Sequence, residues 1–301
     1  MHPDKRHYFL CVSNVRTGST WVETSLAALP DVHADYEIKW RPAYPPRPLH
    51  LVIPDATWRC REQLRQLSAT APVVGSKLVL DPYAMLSRSE IEALLATIEP
   101  DIRIVFLTRD YFSIIKSLLV RGGINRLAQP TDPRLTGVLA DTLRTTPPEA
   151  ESTYQPLAVN QESFNAIVNT VLILFVNDLV CLEIYKRAYQ AMHVDYENIQ
   201  ERFKEIARFV GTKCSDDIIE EVIINPTTKK LQNIDNRFVD NWHVLQLFCA
   251  YMDCLRDLSI RKRLSLFDFY RDDGQGHVTV TAPGIEETYR ICQTLLARLA
   301  A

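Results

Sequence analysis

Short runs of consecutive apolar residues recur along the chain, each ending in a polar turn and each followed by a helical pattern. The first run, Tyr8–Val15, is compact and rich in β-formers, the profile of a strand buried on both faces. It closes at Arg16-Thr17-Gly18-Ser19-Thr20, and helical spacing follows over Trp21–Leu29. Ala71–Leu80 repeats the strand profile after an Arg- and Gln-rich helix at 57–69. A helix is predicted next over Ser87–Ile98, where Ser87 and Ser89 can cap and Glu90 and Glu92 suit the positive end of the dipole. The third run, Ile102–Leu107, ends at Thr108-Arg109-Asp110, and a helix over Tyr111–Val120 starts at once.

A long apolar helix is expected over Ser163–Met192, then a short strand over Met192–Tyr196, then helices at 199–210, 216–224, 240–258 and 285–300. Strands alternating with helices at this spacing predict an α/β fold, a central parallel sheet with helices on both faces. Between Arg121 and Ser163 the pattern dissolves. Pro130, Pro133, Pro147, Pro148 and Pro156 punctuate a polar stretch that also holds Gly122, Gly123 and Gly137. Long irregular segments inside compact domains are usually lids, binding loops or disorder. The expectation is one domain over 1–301 with a mobile lid or acceptor-binding insertion at about 121–165.

Composition narrows the class. Apolar residues make up 47% of the 301 and charged residues 24%, which excludes a disordered or fibrous chain. The net charge of −3 argues against general nucleic-acid binding, which needs a dominant basic face, while leaving room for a local anion pocket. Cysteines stand at 11, 60, 181, 214, 249, 254 and 292 with no CxxC pair and no zinc-ligand spacing, so reduced, idle thiols are expected. The amino-terminal apolar run is too short for a signal peptide. The charge-free stretch Ser163–Asn177 is 15 residues long and is interrupted by Asn165 and Asn169, short of the roughly 20 apolar residues of a membrane span. A cytoplasmic location, with no membrane and no nucleic-acid partner, is the expectation.

Two loops can carry chemistry. In the first, Gly18 lets backbone approach an anion closely, amides at the start of the following helix point outward, and Arg16 adds a cation. An ordinary βα turn explains the same residues equally well, because the GxxxxGK[ST] pattern is absent. In the second, Arg109 stands at the carboxyl end of its strand, the edge where open α/β sheets bind ligands, and Ser117 follows eight residues later along the helix. Together they could grip a second phosphate, or Arg109 could simply pair with a surface carboxylate.

These residues carry a resemblance. Arg16-Thr17-Gly18-Ser19-Thr20-Trp21 resembles the 5′-phosphosulfate loop of sulfotransferases that use 3′-phosphoadenosine 5′-phosphosulfate (PAPS). Leu107–Ser117 resembles their 3′-phosphate element, the Arg-to-Ser step included. Val194–Ile199 is similar to the family's YEDL strand end, and Ile206-Ala207-Arg208-Phe209-Val210-Gly211 to its I-x-x-F-L-G helix. The four elements occur in the family's order and span roughly residues 8–240.

The resemblance implies a P-loop-like sulfotransferase fold and sulfuryl transfer from PAPS to a hydroxyl or amine of a small-molecule acceptor, leaving adenosine 3′,5′-bisphosphate (PAP) and needing no metal. It implies that Arg16 stands beside the transferring group, that Thr17, Gly18, Ser19 and Thr20 hold the 5′-phosphate, and that Trp21 stacks on adenine. Arg109 and Ser117 would bind the 3′-phosphate, with Lys229 and Lys230 as a further cationic pair. Arg16 stands where cytosolic members often have Lys, a departure that resembles the bacterial glycolipid-type branch. Cytosolic members place a His base in the second-strand region; here that region reads Val74-Gly75-Ser76-Lys77-Leu78, and Lys77 resembles the donor-side Lys of glycan-type members.

The glycan branch takes as base a Glu after the first helix, which assigns Glu37 in Asp35-Tyr36-Glu37-Ile38-Lys39-Trp40, with His33 as the second candidate. A solvated carboxylate is a weak base for an alcohol, so this role requires burial around Glu37. Two other classes stay open: a P-loop-like small-molecule kinase using Mg·ATP, which lacks its Walker Lys here, and a nucleotide-binding module without catalysis. The acceptor's identity and the oligomeric state, a homodimer included, stay open as well.

Overall fold

The computed structural model describes residues 6–39, 50–52, 58–68, 70–80, 85–122, 161–224, 242–273 and 278–300. The chain divides into two compact units, each assembled from separate stretches. The first comprises Met1–Asp81, Ser89–Arg109 and Val180–Lys230; the second comprises Pro82–Arg88, Asp110–Leu179 and Leu231–Ala301.

The first unit is α/β. Its strands are β1 (His7–Asn14), β2 (Val32–Lys39), β3 (His50–Val52), β4 (Val73–Leu80), β5 (Arg103–Thr108) and β6 (Ala191–Asp195). They form one sheet in the order β3-β2-β4-β1-β5-β6, with every pair parallel. Helices α1 (Ser19–Ala27), α2 (Cys60–Leu67), α3 (Arg88–Thr97), α6 (Phe203–Val210) and α7 (Asp216–Ile224) connect and flank them, with α4 (Tyr111–Gly122) and α5 (Gln161–Arg187) intervening in the chain. Parallel strands covered on both faces must be apolar on both, and β1 shows this: Phe9, Leu10, Cys11 and Val12 are all sealed. On one face Phe9, Cys11, Ala34, Val73, Val105 and Leu107 join Val22 and Leu26 of α1 and Phe203, Ile206 and Val210 of α6 in one cluster. Gly75 is required here, because a Cβ at that position would stand 2.1 Å from the Phe9 ring.

The four predicted strands are present, with edges moved by one or two residues. Two elements of the sheet go beyond the prediction. β2 and β3 occupy residues for which the pattern gives no strand, so Glu37 belongs to a sheet strand rather than to a segment trailing the first helix. The helix expected over Ser163–Met192 is also corrected: it stops at Arg187, and a turn leads into β6 at Ala191.

The second unit holds α4, α5 up to Leu179, α8 (Trp242–Lys262), the antiparallel pair β7 (Tyr270–Asp272) and β8 (Val278–Val280), and α9 (Ile285–Ala300). Phe164 stacks on Tyr289 at 5.8 Å and meets Phe248 edge-on at 6.3 Å, tying α5, α8 and α9 together. Among the described residues one helical stretch, Phe164–Arg187, is long and apolar enough to cross a membrane, and its apolar window is fully buried inside the protein, as in a core helix of a soluble protein. The predicted lid at 121–165 begins and ends in helix, since α4 reaches Gly122 and α5 starts at Gln161; the residues between lie outside the described ones. All seven cysteines are free thiols, and Cys254 alone among them is exposed.

Candidate active site

The loop from β1 to α1 sits at the carboxyl edge of the sheet. Two of its residues lie in the left-handed region, Arg16 at φ 63° and Gly18 at φ 83°. For a residue with a Cβ this region is strained, and such strain concentrates at functional sites. Gly18 is obligatory for space as well: a Cβ there would stand 2.9 Å from both Tyr196 and Ile199. As the N-cap of α1 it offers no side-chain acceptor, and the first turn of that helix carries no acid, which leaves its positive end suited to an anion. Thr17 is buried and donates its hydroxyl to the Asn14 carbonyl at 2.9 Å. Ser19 is buried at the helix start, while Thr20 is exposed. Ser13 Oγ, just before the loop, is wholly buried without a hydrogen-bond partner.

Arg109, 93 residues away in sequence, reaches this loop. Its Nη1 donates to the Arg16 carbonyl at 3.0 Å, and its guanidinium lies 4.0 Å from the centre of the Tyr196 ring. The β1 loop, the end of β5 and the turn after β6 therefore meet at one end of the sheet. Beside them Thr108 donates its hydroxyl to Asp195 at 2.6 Å and lies 2.8 Å from His193 Nε2. Trp21 meets Phe203 of α6 edge-on at 5.3 Å and is half-buried. Ser117 belongs to the second unit, buried on α4. Lys229 and Lys230 lie outside the described residues.

Lys77 is the buried cation of the site. Its Nζ donates to Glu23 Oε2 at 2.6 Å and to Thr20 Oγ1 at 3.3 Å, and it stands 3.6 Å from Glu37 Oε2. The sheet explains how Glu37 arrives there. Ala34 pairs with Gly75 and Glu37 with Lys77, so three steps along β2 match two along β4, and one extra residue is accommodated between them. That irregularity switches the alternation and turns Glu37 to the face of Ala34 and Lys77. His33 pairs with Val74 and so occupies the opposite face from Lys77. The structure thus brings Glu37 and Lys77 together and separates His33 from both.

Glu23 is the residue that sequence reasoning misses. It sits on the inner face of α1 beside Val22 and Leu26, and its side chain is 7% exposed. A helix face that buries an acid signals a buried partner, and the ammonium it meets is 54 positions away. Burial and the neighbouring Glu23 charge push the Cys11 thiol far up, with Lys77 opposing, so Cys11 is an inert neighbour of the pair.

Among the described residues no group of three or more His, Cys, Asp or Glu side chains could hold a metal ion. Comparison with protein-family models and with curated proteins found no match to this chain.

Proposed function

We propose that the protein transfers a sulfuryl group from PAPS to a hydroxyl or amine of a small-molecule acceptor, as a cytoplasmic enzyme with a P-loop-like sulfotransferase fold. One observation carries the reading: the Arg109 guanidinium is hydrogen-bonded to the Arg16 carbonyl, so two elements that resemble the donor-binding motifs, far apart in sequence, share one sheet edge. Tyr196, from the third resembling element, closes against both.

In this reading the α1 amides with Thr17, Gly18, Ser19 and Thr20 hold the 5′-phosphate, and Trp21 borders the adenine. Arg109 takes the 3′-phosphate, with Ser117, Lys229 and Lys230 as its further expected contacts. Arg16 and Lys77 offset charge that spreads over the sulfuryl oxygens and the bridging oxygen as the sulfur–oxygen bond to the phosphate breaks. Glu37 accepts the acceptor's proton as the new sulfur–oxygen or sulfur–nitrogen bond forms, and PAP departs with the bonding electron pair. Its side chain is 23% exposed, which leaves access for an acceptor.

Thermal-shift titration tests the reading against the kinase and binding-module alternatives. PAP is expected to stabilise the protein by about 2.7 kcal/mol at a hundred times its Kd, with or without EDTA. Stabilisation by Mg·ATP and none by PAP would replace this reading with the kinase-like one.

A further inference from the structure

We propose that Thr108 is a positioning residue for the donor site: by holding the Asp195 carboxylate across the last rung of the sheet, it keeps Tyr196 seated between Gly18 and the Arg109 guanidinium. The proposal rests on the reading of Arg109 as the 3′-phosphate contact and deepens it.

The sheet separates the fastening from what it fastens. β5 and β6 pair Phe106 with His193, Leu107 with Val194 and Thr108 with Asp195. Leu107 and Val194 belong to the cluster shared with α1 and α6, so Thr108, His193 and Asp195 point from the opposite face. Thr108 is wholly buried, and a buried hydroxyl must be paired. Its single proton goes to Asp195 at 2.6 Å, the short length of a bond to a carboxylate. The next residue of each strand, Arg109 and Tyr196, meets its counterpart on the loop side. There the guanidinium lies 4.0 Å from the centre of the ring, and a Cβ on Gly18 would stand 2.9 Å from that ring.

Asp195 has a competing use. It is the N-cap of the short 3-10 turn Tyr196–Asn198, a position where Asp ordinarily accepts a backbone N–H of the turn it opens. Here its side chain makes no such bond. The carboxylate is turned back to Thr108 instead, although half of the side chain is exposed to solvent. The hydroxyl therefore decides which of two partners the carboxylate takes. Without it, Asp195 caps its own turn, and the turn that carries Tyr196 loses its tie to the end of β5. The ring then no longer backs the guanidinium that receives the 3′-phosphate.

The test has two arms on the full chain. Thr108→Val keeps the shape and removes the hydroxyl. Its affinity for PAP by calorimetry should fall about tenfold, on the scale of one lost bond to a charged group, while kcat at saturating PAPS stays near wild type. Thr108→Ser should restore the affinity. Asp195→Ala should weaken PAP binding to the same extent, and the double variant no further than either single one. The second arm needs no donor. Amide hydrogen exchange should show Glu197 and Asn198 better protected in Thr108→Val, where Asp195 is released to cap them, and not in the double variant, which has no carboxylate there. Unchanged PAP affinity in Thr108→Val, additive losses, or unchanged protection of the two amides each overturns the proposal. If the wild type does not bind PAP, the sulfotransferase reading falls, and the exchange arm still decides the role of Thr108. If Thr108→Val does not fold, Asp195→Ala carries the binding arm, and undiminished PAP affinity there overturns the proposal.

Discussion

Among the described residues, each unit buries a cation beside two or more carboxylates, and the two arrangements differ in what surrounds them. In the second unit Arg256 contacts Asp253 and Asp257 at 2.9 Å each and Asp178 at 4.0 Å, and lies 5.0 Å from the Tyr111 ring. Tyr111 completes the set: its hydroxyl donates to Asp178 at 2.8 Å and its backbone N–H to Asp253 at 3.1 Å. This cluster fastens the amino terminus of α4 to α5 and α8. Its members are spent on each other. In the first unit Lys77 faces Glu23 and Glu37, but the cluster adjoins a loop with two left-handed residues, an uncapped helix start and the anchored Arg109. The same electrostatic device is closed over by helices in the second unit and, in the first, stands beside the loop at the carboxyl edge of a parallel sheet.

Substitutions can break or sharpen that contrast. The largest effect is expected at Glu37. Glu37→Gln keeps size and most hydrogen bonding, so turnover should fall by about 10²–10⁴ while PAP affinity by calorimetry stays the same. Near-native turnover in Glu37→Gln, with loss in His33→Ala, would move the base to His33. Arg256→Met should act on stability, because it leaves buried carboxylates without their cation; a loss of about 3–5 kcal/mol in urea unfolding is expected. A smaller loss would mean that the helical cluster is not a clamp.

Arg109→Ala should sit between the two regions in character. Removing a charge-assisted donor is expected to lower PAP affinity by about 1.5–3 kcal/mol while the fold persists. Unchanged affinity by calorimetry would break the link between Arg109 and the 3′-phosphate. The smallest expected effect is a pH dependence in the second unit. Burial, outweighing the attraction of Arg256, pushes the Asp253 carboxyl up to about 7. Between about pH 4 and 7 the unfolded chain has released this proton and the folded chain retains it, so stability should fall as pH rises through that window. Asp253→Asn should flatten this fall in urea unfolding at several pH values, and an unaltered slope would assign the titration elsewhere in the cluster.

What the sequence could disclose follows from the physics of each element. β1, β4 and β5 are central strands of a parallel sheet, buried on both faces, so they read as apolar runs closed by polar turns. β2 does not, because Val32-His33-Ala34-Asp35-Tyr36-Glu37 mixes polar residues and contains the extra residue that interrupts alternation. The same irregularity aims Glu37 at Lys77, so what hid the strand also built the site. Arg16, Gly18 and Arg109 are legible because loops at strand ends are local in sequence. Glu23 is illegible from the chain alone, since its meaning depends on an ammonium supplied by a strand 54 positions away. The hairpin of β7 and β8 was equally silent, two three-residue strands too short to show a period.

The measurement closest to the central claim is label transfer from PAPS carrying radioactive sulfate, with pools of small hydroxyl and amine acceptors, in EDTA. Label in an acceptor, PAP formed in equal amount, and loss of both in Glu37→Gln are the expected results. Failure to move label to any acceptor, together with transfer of the γ-phosphoryl group from Mg·ATP by the same protein, would contradict that claim.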